Sequence, residues 1–311
     1  METEYDLADR PCRNTIKDTS GNIVYRSTLA YDKLSNLVQV REEANNAATG
    51  VRVTDFTYDR DNRVSRAQFA SSANYRVDNT YDALGRMSRR TVTNVSSVYT
   101  TDYTYVGGGY GTNSTTPMVS GMTQSGMNFA YAYDSRGNIT AETRNGATTS
   151  YVYDGIGQLI RVNDPHENAT WVYNYDRGGN ITSKVRYAYT TGALGTAVET
   201  IPYAYSDSNW KDKLTAYNGT AITYDAIGNP LNDGSWTYEW AVGRQLKKMS
   251  KPGKEIEFKY DFNGLRTQKI VTENGVTTTT NYLLHGKLVT HMTIGNDNLH
   301  FFYDNSSRPA K

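Results

Sequence analysis

Residues 151–160 read YVYDGIGQLI, and residues 131–140 read YAYDSRGNIT. Both spell Tyr-x-Tyr-Asp-x-x-Gly-polar-apolar. The two aromatic residues stand two apart, so their rings fall on one face of an extended strand. Asp then favours the first position of a turn, where its carboxylate accepts backbone N–H groups. The glycine four residues after the second Tyr tolerates positive φ. The apolar residue two further on opens a returning strand. The stretch therefore reads as a β-hairpin with a glycine-bulged turn.

The same hairpin is written from one end of the chain to the other. After Tyr5-Asp6 come Tyr31-Asp32, Tyr58-Asp59, Tyr81-Asp82, Tyr133-Asp134, Tyr153-Asp154, Tyr175-Asp176, Tyr224-Asp225, Tyr260-Asp261 and Tyr303-Asp304. Weaker copies begin at Tyr105, Tyr205, Tyr238 and Tyr282. The step from Tyr224 to Tyr238 is shorter than the others, which run about 20–30 residues. Gly85, Gly137, Gly157, Gly179, Gly228, Gly264 and Gly286 are assigned to the positive-φ slot. Asp9, Asn36, Asn62 and Asn209, whose side chains also suit that conformation, are assigned to it in other units. Leu37, Val64, Met87, Ile139, Leu159, Ile181 and Leu288 then open the return strands.

Between motifs the chain is rich in Thr, Val, Arg and Ser with a second Gly or Asn turn, as in TRNGATTSYVYD. Thr and Val suit half-buried strands, and helical apolar spacing is nowhere sustained. Two stretches, Val106–Asn128 and Thr190–Thr200, are less regular and read as long loops within the array. Leu, Ile, Val and Phe make up only about 18% of the 311 residues, but 26 Tyr and 4 Trp supply apolar area. Tyrosine is thus the main core-building residue, with a hydroxyl that needs a partner. A lone hairpin is marginal, so the units must pair with one another. The expected fold is all-β: antiparallel hairpins forming one continuous sheet, curved or spiral because long sheets twist.

The charge balance, 33 basic against 32 acidic residues, gives no field that would draw nucleic acid or an anionic membrane. No run of ~18 apolar residues is available to span a membrane. The start, METEYDLADR, has neither the basic nor the apolar region of an export signal. Cys12 is the single cysteine, which excludes an internal disulfide, and no histidine stands beside it to activate it. Asp59, Asp61 and Asn62 form an oxygen-rich loop but lack the bidentate Glu of an EF-hand, so Asp59 reads as a turn cap. His291 and His300 fall on neighbouring strands, but no zinc-site spacing accompanies them. Asn138 and Asn180 head N-x-T triplets that follow from the turn consensus. No cofactor, metal or catalytic residue is assigned, and the tyrosine column reads as a cross-strand ladder before a sugar platform.

The unit YxYDxxGxLxxxxxxxG resembles the YD repeat of the Rhs family, over essentially the whole chain. The stretch YDFNGLR at 260–266 is the sharpest piece. That family includes bacterial polymorphic toxins, wall-associated proteins, cocoons of insecticidal toxin complexes and teneurins. The resemblance implies a spiral β-shell that encloses or presents a toxin domain, in a protein secreted by or displayed on a bacterium. It implies adjacent YD repeats and that toxin domain as partners, with a glycan- or surface-binding module as the alternative. The Asp-Pro-x-Gly-type segment that ends such shells and accompanies self-cleavage is absent; Asp164-Pro165 lies mid-array. Residues 1–311 therefore read as a single array cut from a longer one, whose open strand edges invite self-association.

Overall fold

A computed structural model describes residues 2–44, 51–70, 74–109, 114–303 and 309–310. Among these residues the chain is all-β and holds no helix. Within each sheet, every strand pairs antiparallel with the strand next to it in sequence. The period-two Thr/Val/Tyr patterns form the strands, and the Asp-x-x-Gly and Asn-Gly pairs turn them.

The expectation of one continuous sheet is corrected. A 19-stranded sheet runs from Glu2–Tyr5 to Thr220–Ala221, and a 9-stranded sheet runs from Thr223–Tyr224 to Asp297–His300. Phe302–Tyr303 and Pro309–Ala310 form a separate pair. The break falls where three successive strands are only two residues long, too short for a sustained ladder. Ile222 N–H still donates to Thr215 O across 2.9 Å, and Tyr224 Oη donates to Leu214 O at 2.6 Å.

The expected loop at Val106–Asn128 is also corrected. Strands occupy Ser97–Gly107 and Thr115–Gln124, a tight turn at Ser125–Gly126 follows, and Met127–Tyr133 returns; residues 110–113 lie outside the described residues. Pro117 and Gly121, which make the sequence look loop-like, sit where the strand register slips, between Thr115 and Val119 and between Val119 and Gly121. Register slips tolerate a missing N–H and a missing side chain. In the other region, Thr190–Thr200, the strand Ala197–Ala204 already begins before Thr200. Arg161 Nη2 ties down the segment before it, donating to Thr190 O at 2.8 Å and Gly192 O at 2.9 Å.

The motif tyrosines mark the inner face. Four residues before six of them, on the same face, stand Ser27, Thr54, Val77, Thr101, Thr149 and Ile201, all buried. Tyr25, Phe56 and Val77 extend this face in the first third of the chain, as do Ala169 and Ile201 further on. The wall curls back on itself. The His285 ring lies 6.0 Å from Tyr25, and the His300 ring lies 6.2 Å from Phe69.

Candidate functional site: the turn ladder and a buried histidine cluster

Each Tyr-Asp turn is built the same way. At Tyr153, Asp154 N–H donates to Gln158 O at 2.9 Å, and Gly157 N–H donates to Asp154 O at 3.1 Å. Asp154 Oδ1 accepts from the amides of Ile156 and Gln158 at 3.0 and 2.9 Å. The same double acceptance occurs at Asp32, Asp59, Asp82, Asp134, Asp176, Asp225 and Asp261. Gly85, Gly137, Gly157, Gly179, Gly228 and Gly264 hold φ between 77° and 89°, where only glycine is unstrained. In each hairpin the register slips one residue before the Tyr, for example between Val152 and Tyr153. That slip is the bulge expected beside such a turn.

Several slot assignments need correction. Ser35 (φ 67), not Asn36, takes the positive-φ position after Tyr31, because the slot is counted from the Tyr and Asn36 lies one residue too far. Asn209 is not among the residues of positive φ: there Asp207 Oδ1 accepts from Asn209 and Trp210 in a tighter turn. Tyr238 is not the motif residue of its unit. Trp240 pairs with Leu246, six ahead, immediately after the register slip, as Tyr153 pairs with Leu159. Measured to Trp240, the apparently short step is 16 residues and the next, to Tyr260, is 20. In the Tyr282 unit the slip falls between Leu283 and Leu284, so Leu284 fills that place. Asp304 lies outside the described residues.

The tyrosine hydroxyls make a ladder that the sequence reading missed. From Tyr31 onward each motif Oη donates to a backbone carbonyl of the preceding return strand, at or near its first residue in all units but that of Tyr133, which reaches Val119 within Thr115–Gln124. Tyr58 reaches Leu37 O at 2.8 Å, Tyr81 reaches Val64 O at 2.9 Å, Tyr153 reaches Ile139 O at 2.9 Å and Tyr175 reaches Leu159 O at 2.7 Å. Tyr31, Tyr105, Tyr133, Tyr205, Tyr260 and Tyr303 do the same. Trp240 keeps the rung with its indole Nε1, which donates to Pro230 O at 2.7 Å. Burial raises the phenol pKa of Tyr31, Tyr58, Tyr105, Tyr175 and Tyr205, which keeps them protonated donors.

In seven units the side chain five residues after the Tyr closes the turn, and it too escaped the sequence reading. Asn36, Asn138, Asn180 and Asn229 donate Nδ2 to the second carboxylate oxygen of their Asp at 2.8–3.0 Å. In other units Arg10, Arg63 and Arg86 donate Nε to the same oxygen at 2.7–2.8 Å. Their guanidinium groups also stack over the next tyrosine, Tyr31, Tyr81 and Tyr105, at 4.6, 4.5 and 3.9 Å from the ring centre. The recurrence of Asn or Arg at this position was the available signal. The side-chain donors Arg63, Asn138 and Asn180, with the turn amides, hold Asp59, Asp134 and Asp176 below the usual carboxylate range. Asp59, Asp61 and Arg63 thus form a closed ion-paired turn.

A second cluster lies where the wall curls back. His291 and His300 face each other across adjacent strands, with Nε2 and Nδ1 3.0 Å apart. His300 Nε2 stands 3.3 Å from Glu42 Oε2, and Tyr25 Oη donates to Glu42 Oε1 at 2.5 Å. Tyr25, Glu42 and His291 are only 1%, 6% and 8% exposed. His285 completes the group beside Tyr25. Next to it is a cavity of about 350 Å³, walled by Leu29, Val40, Phe56, Leu288 and Phe301. Burial, reinforced by His300, depresses the His291 pKa to about 4, and burial lowers that of His285.

These features define a wall of β-hairpins carrying one recurrent turn. The RHS Repeat family matches residues 133–166 and 153–191. The chain is 38% identical over 81 residues to the tRNA3(Ser)-specific nuclease WapA of Bacillus spizizenii, a match covering 25% of this chain and 3% of that protein. It is 40% identical over 81 residues to the tRNA nuclease WapA of Bacillus subtilis strain 168, with the same coverage. The chain thus spans a few per cent of the length of the curated relatives it matches. The crystal structure of TcdB2–TccC3 shares its fold, with a TM-score of 0.65 and 16% identity over 93% of this chain and 17% of that one. Residues 133–191 therefore carry RHS repeats, and the likeness to TcdB2–TccC3 extends the same fold over 93% of the chain.

Proposed function

We propose that residues 1–311 are one wall segment of a larger Rhs protein, non-catalytic in themselves, whose parent encloses or presents a toxin domain outside the bacterial cell. The observation that carries this reading is the turn chemistry. In the eight Tyr-Asp pairs from Tyr31 to Tyr260 the carboxylate is committed to backbone amides and the tyrosine hydroxyl to a backbone carbonyl. The recurring side chains are therefore occupied by architecture. The structural sites are the Tyr-Asp-x-x-Gly turns, with Trp240 and Leu284 as substitutes. The partners are further repeats and the domain they surround.

Two experiments test this. The purified chain, incubated with tRNA and applied to a glycan array, is expected to cleave nothing and bind nothing selectively; robust cleavage overturns the non-catalytic reading. In the parent protein, the non-repeat domain is expected to resist protease, and Gly157→Val is expected to expose it. Equal susceptibility in both proteins overturns enclosure.

A further inference from the structure

The strands Leu288–Ile294 and Asp297–His300 lie against the first sheet through polar groups that titrate. The groups facing His291 come from every neighbouring strand. They are His300 from its direct partner, Glu42 from Leu37–Ala44 and Arg52 from Val51–Tyr58. Tyr25 from Ile23–Tyr31 stands against its ring, and His285 lies on the other side of Tyr25. Glu42 is the carboxylate that faces them. A proton on His291 is held 3.0 Å from the His300 ring and near Arg52, with Glu42 already engaged by Tyr25. His291 Nδ1 is buried with no hydrogen-bond partner among the described residues, so a proton there gains no acceptor.

We propose that the Tyr25–Glu42–His300–His291 cluster is an acid-released latch, which holds the Leu288–His300 hairpin on the first sheet while the His291 imidazole is neutral and frees it when that ring protonates. Release uncovers the apolar walls of the adjoining cavity.

Hydrogen exchange of the full chain between pH 7.5 and 5.0, corrected for intrinsic rates, tests it. His291 ionises freely near pH 6.5 once released but resists protonation in place. Opening of residues 288–300 is therefore expected to rise about tenfold per pH unit below 6.5, or about 30-fold by pH 5.0. The strands Leu159–Asp164 and Ala169–Tyr175 are expected to change less than about threefold over the same range. His291→Gln, which carries no proton, is expected to flatten the hairpin's response to under about threefold. A flat wild-type response, parallel opening of the central strands, or an unchanged slope in His291→Gln overturns the proposal. Should His291→Gln fail to fold, the wild-type imidazole titration decides. A His291 midpoint well below 6.5 in the folded protein supports the latch, and one at 6.5 overturns it.

Discussion

Replacing Gly157 and Gly228 with alanine separates two costs that one turn can carry. Both glycines hold nearly the same φ, +89° and +86°. At Gly157 an added Cβ meets nothing within 4 Å. Its cost is backbone strain alone, about 1–2 kcal/mol. At Gly228 the added Cβ would lie 2.4 Å from Cζ3 and 2.7 Å from Cη2 of Trp210, inside any normal contact. The ring is 45% exposed and can swing outward, so the low end of the overpacking range applies, about 1 kcal/mol more. Gly228→Ala should therefore cost about 2–3 kcal/mol. Trp210→Ala should remove the difference, giving a coupling of about 1 kcal/mol in the double-mutant cycle. A repeat array departs from two-state unfolding, so the measurement is the local opening free energy from native-state hydrogen exchange. A cost below about 0.3 kcal/mol at Gly157, set against the strain range above, refutes the positive-φ assignment. Equal costs with no coupling refute the packing of Trp210 on Gly228.

Tyr153→Phe deletes the bond to Ile139 O and should cost about 1 kcal/mol in local opening free energy by native-state hydrogen exchange; the same change at Tyr131 should cost less, since Tyr131 is not the motif residue of its unit. Trp240→Phe should lose its rung to Pro230 with a similar cost, and Trp240→Tyr, the residue used elsewhere, should recover part of it. Asp59, Asp134 and Asp176 have depressed folded pKa values, so their contribution is present above pH 3.8 and is lost as pH falls through the lower folded values. Carbon-13 titration of the carboxyls should place these midpoints below 3.8, and normal midpoints would contradict the turn bonding. Asp207, paired with Lys213 and two amides, should titrate lowest, near pH 2, and Lys213→Met should raise it.

The hairpin class and strand starts were legible because each unit writes its own turn. Asp, glycine and the returning apolar residue lie within seven positions, and the forces linking them are local. The sheet break was not legible, because it depends on how many ladder bonds two-residue strands make. Trp240 was missed for a related reason. The identifying property of the motif Tyr is its reach to a carbonyl some 10–24 residues back, and an indole N–H satisfies that without resembling Tyr-Asp. The loop expected at Val106–Asn128 followed from counting Gly and Pro as breakers without allowing for register slips that absorb them. The histidine cluster joins Glu42 to His300 across most of the chain. Adjacency of His291 and His300 was foreseeable from strand order, but the curl that brings Tyr25 and Glu42 to them was not.

Each rung reaches back to the unit directly before it and no further. A whole hairpin duplicated or deleted between two rungs therefore presents its successor with an equivalent carbonyl. Such arrays can lengthen or shorten by recombination between near-identical copies without refitting distant contacts. The latch region is the exception, since its partners sit a fixed number of hairpins apart. Gain or loss of one unit between Glu42 and His291 would move the curl out of phase.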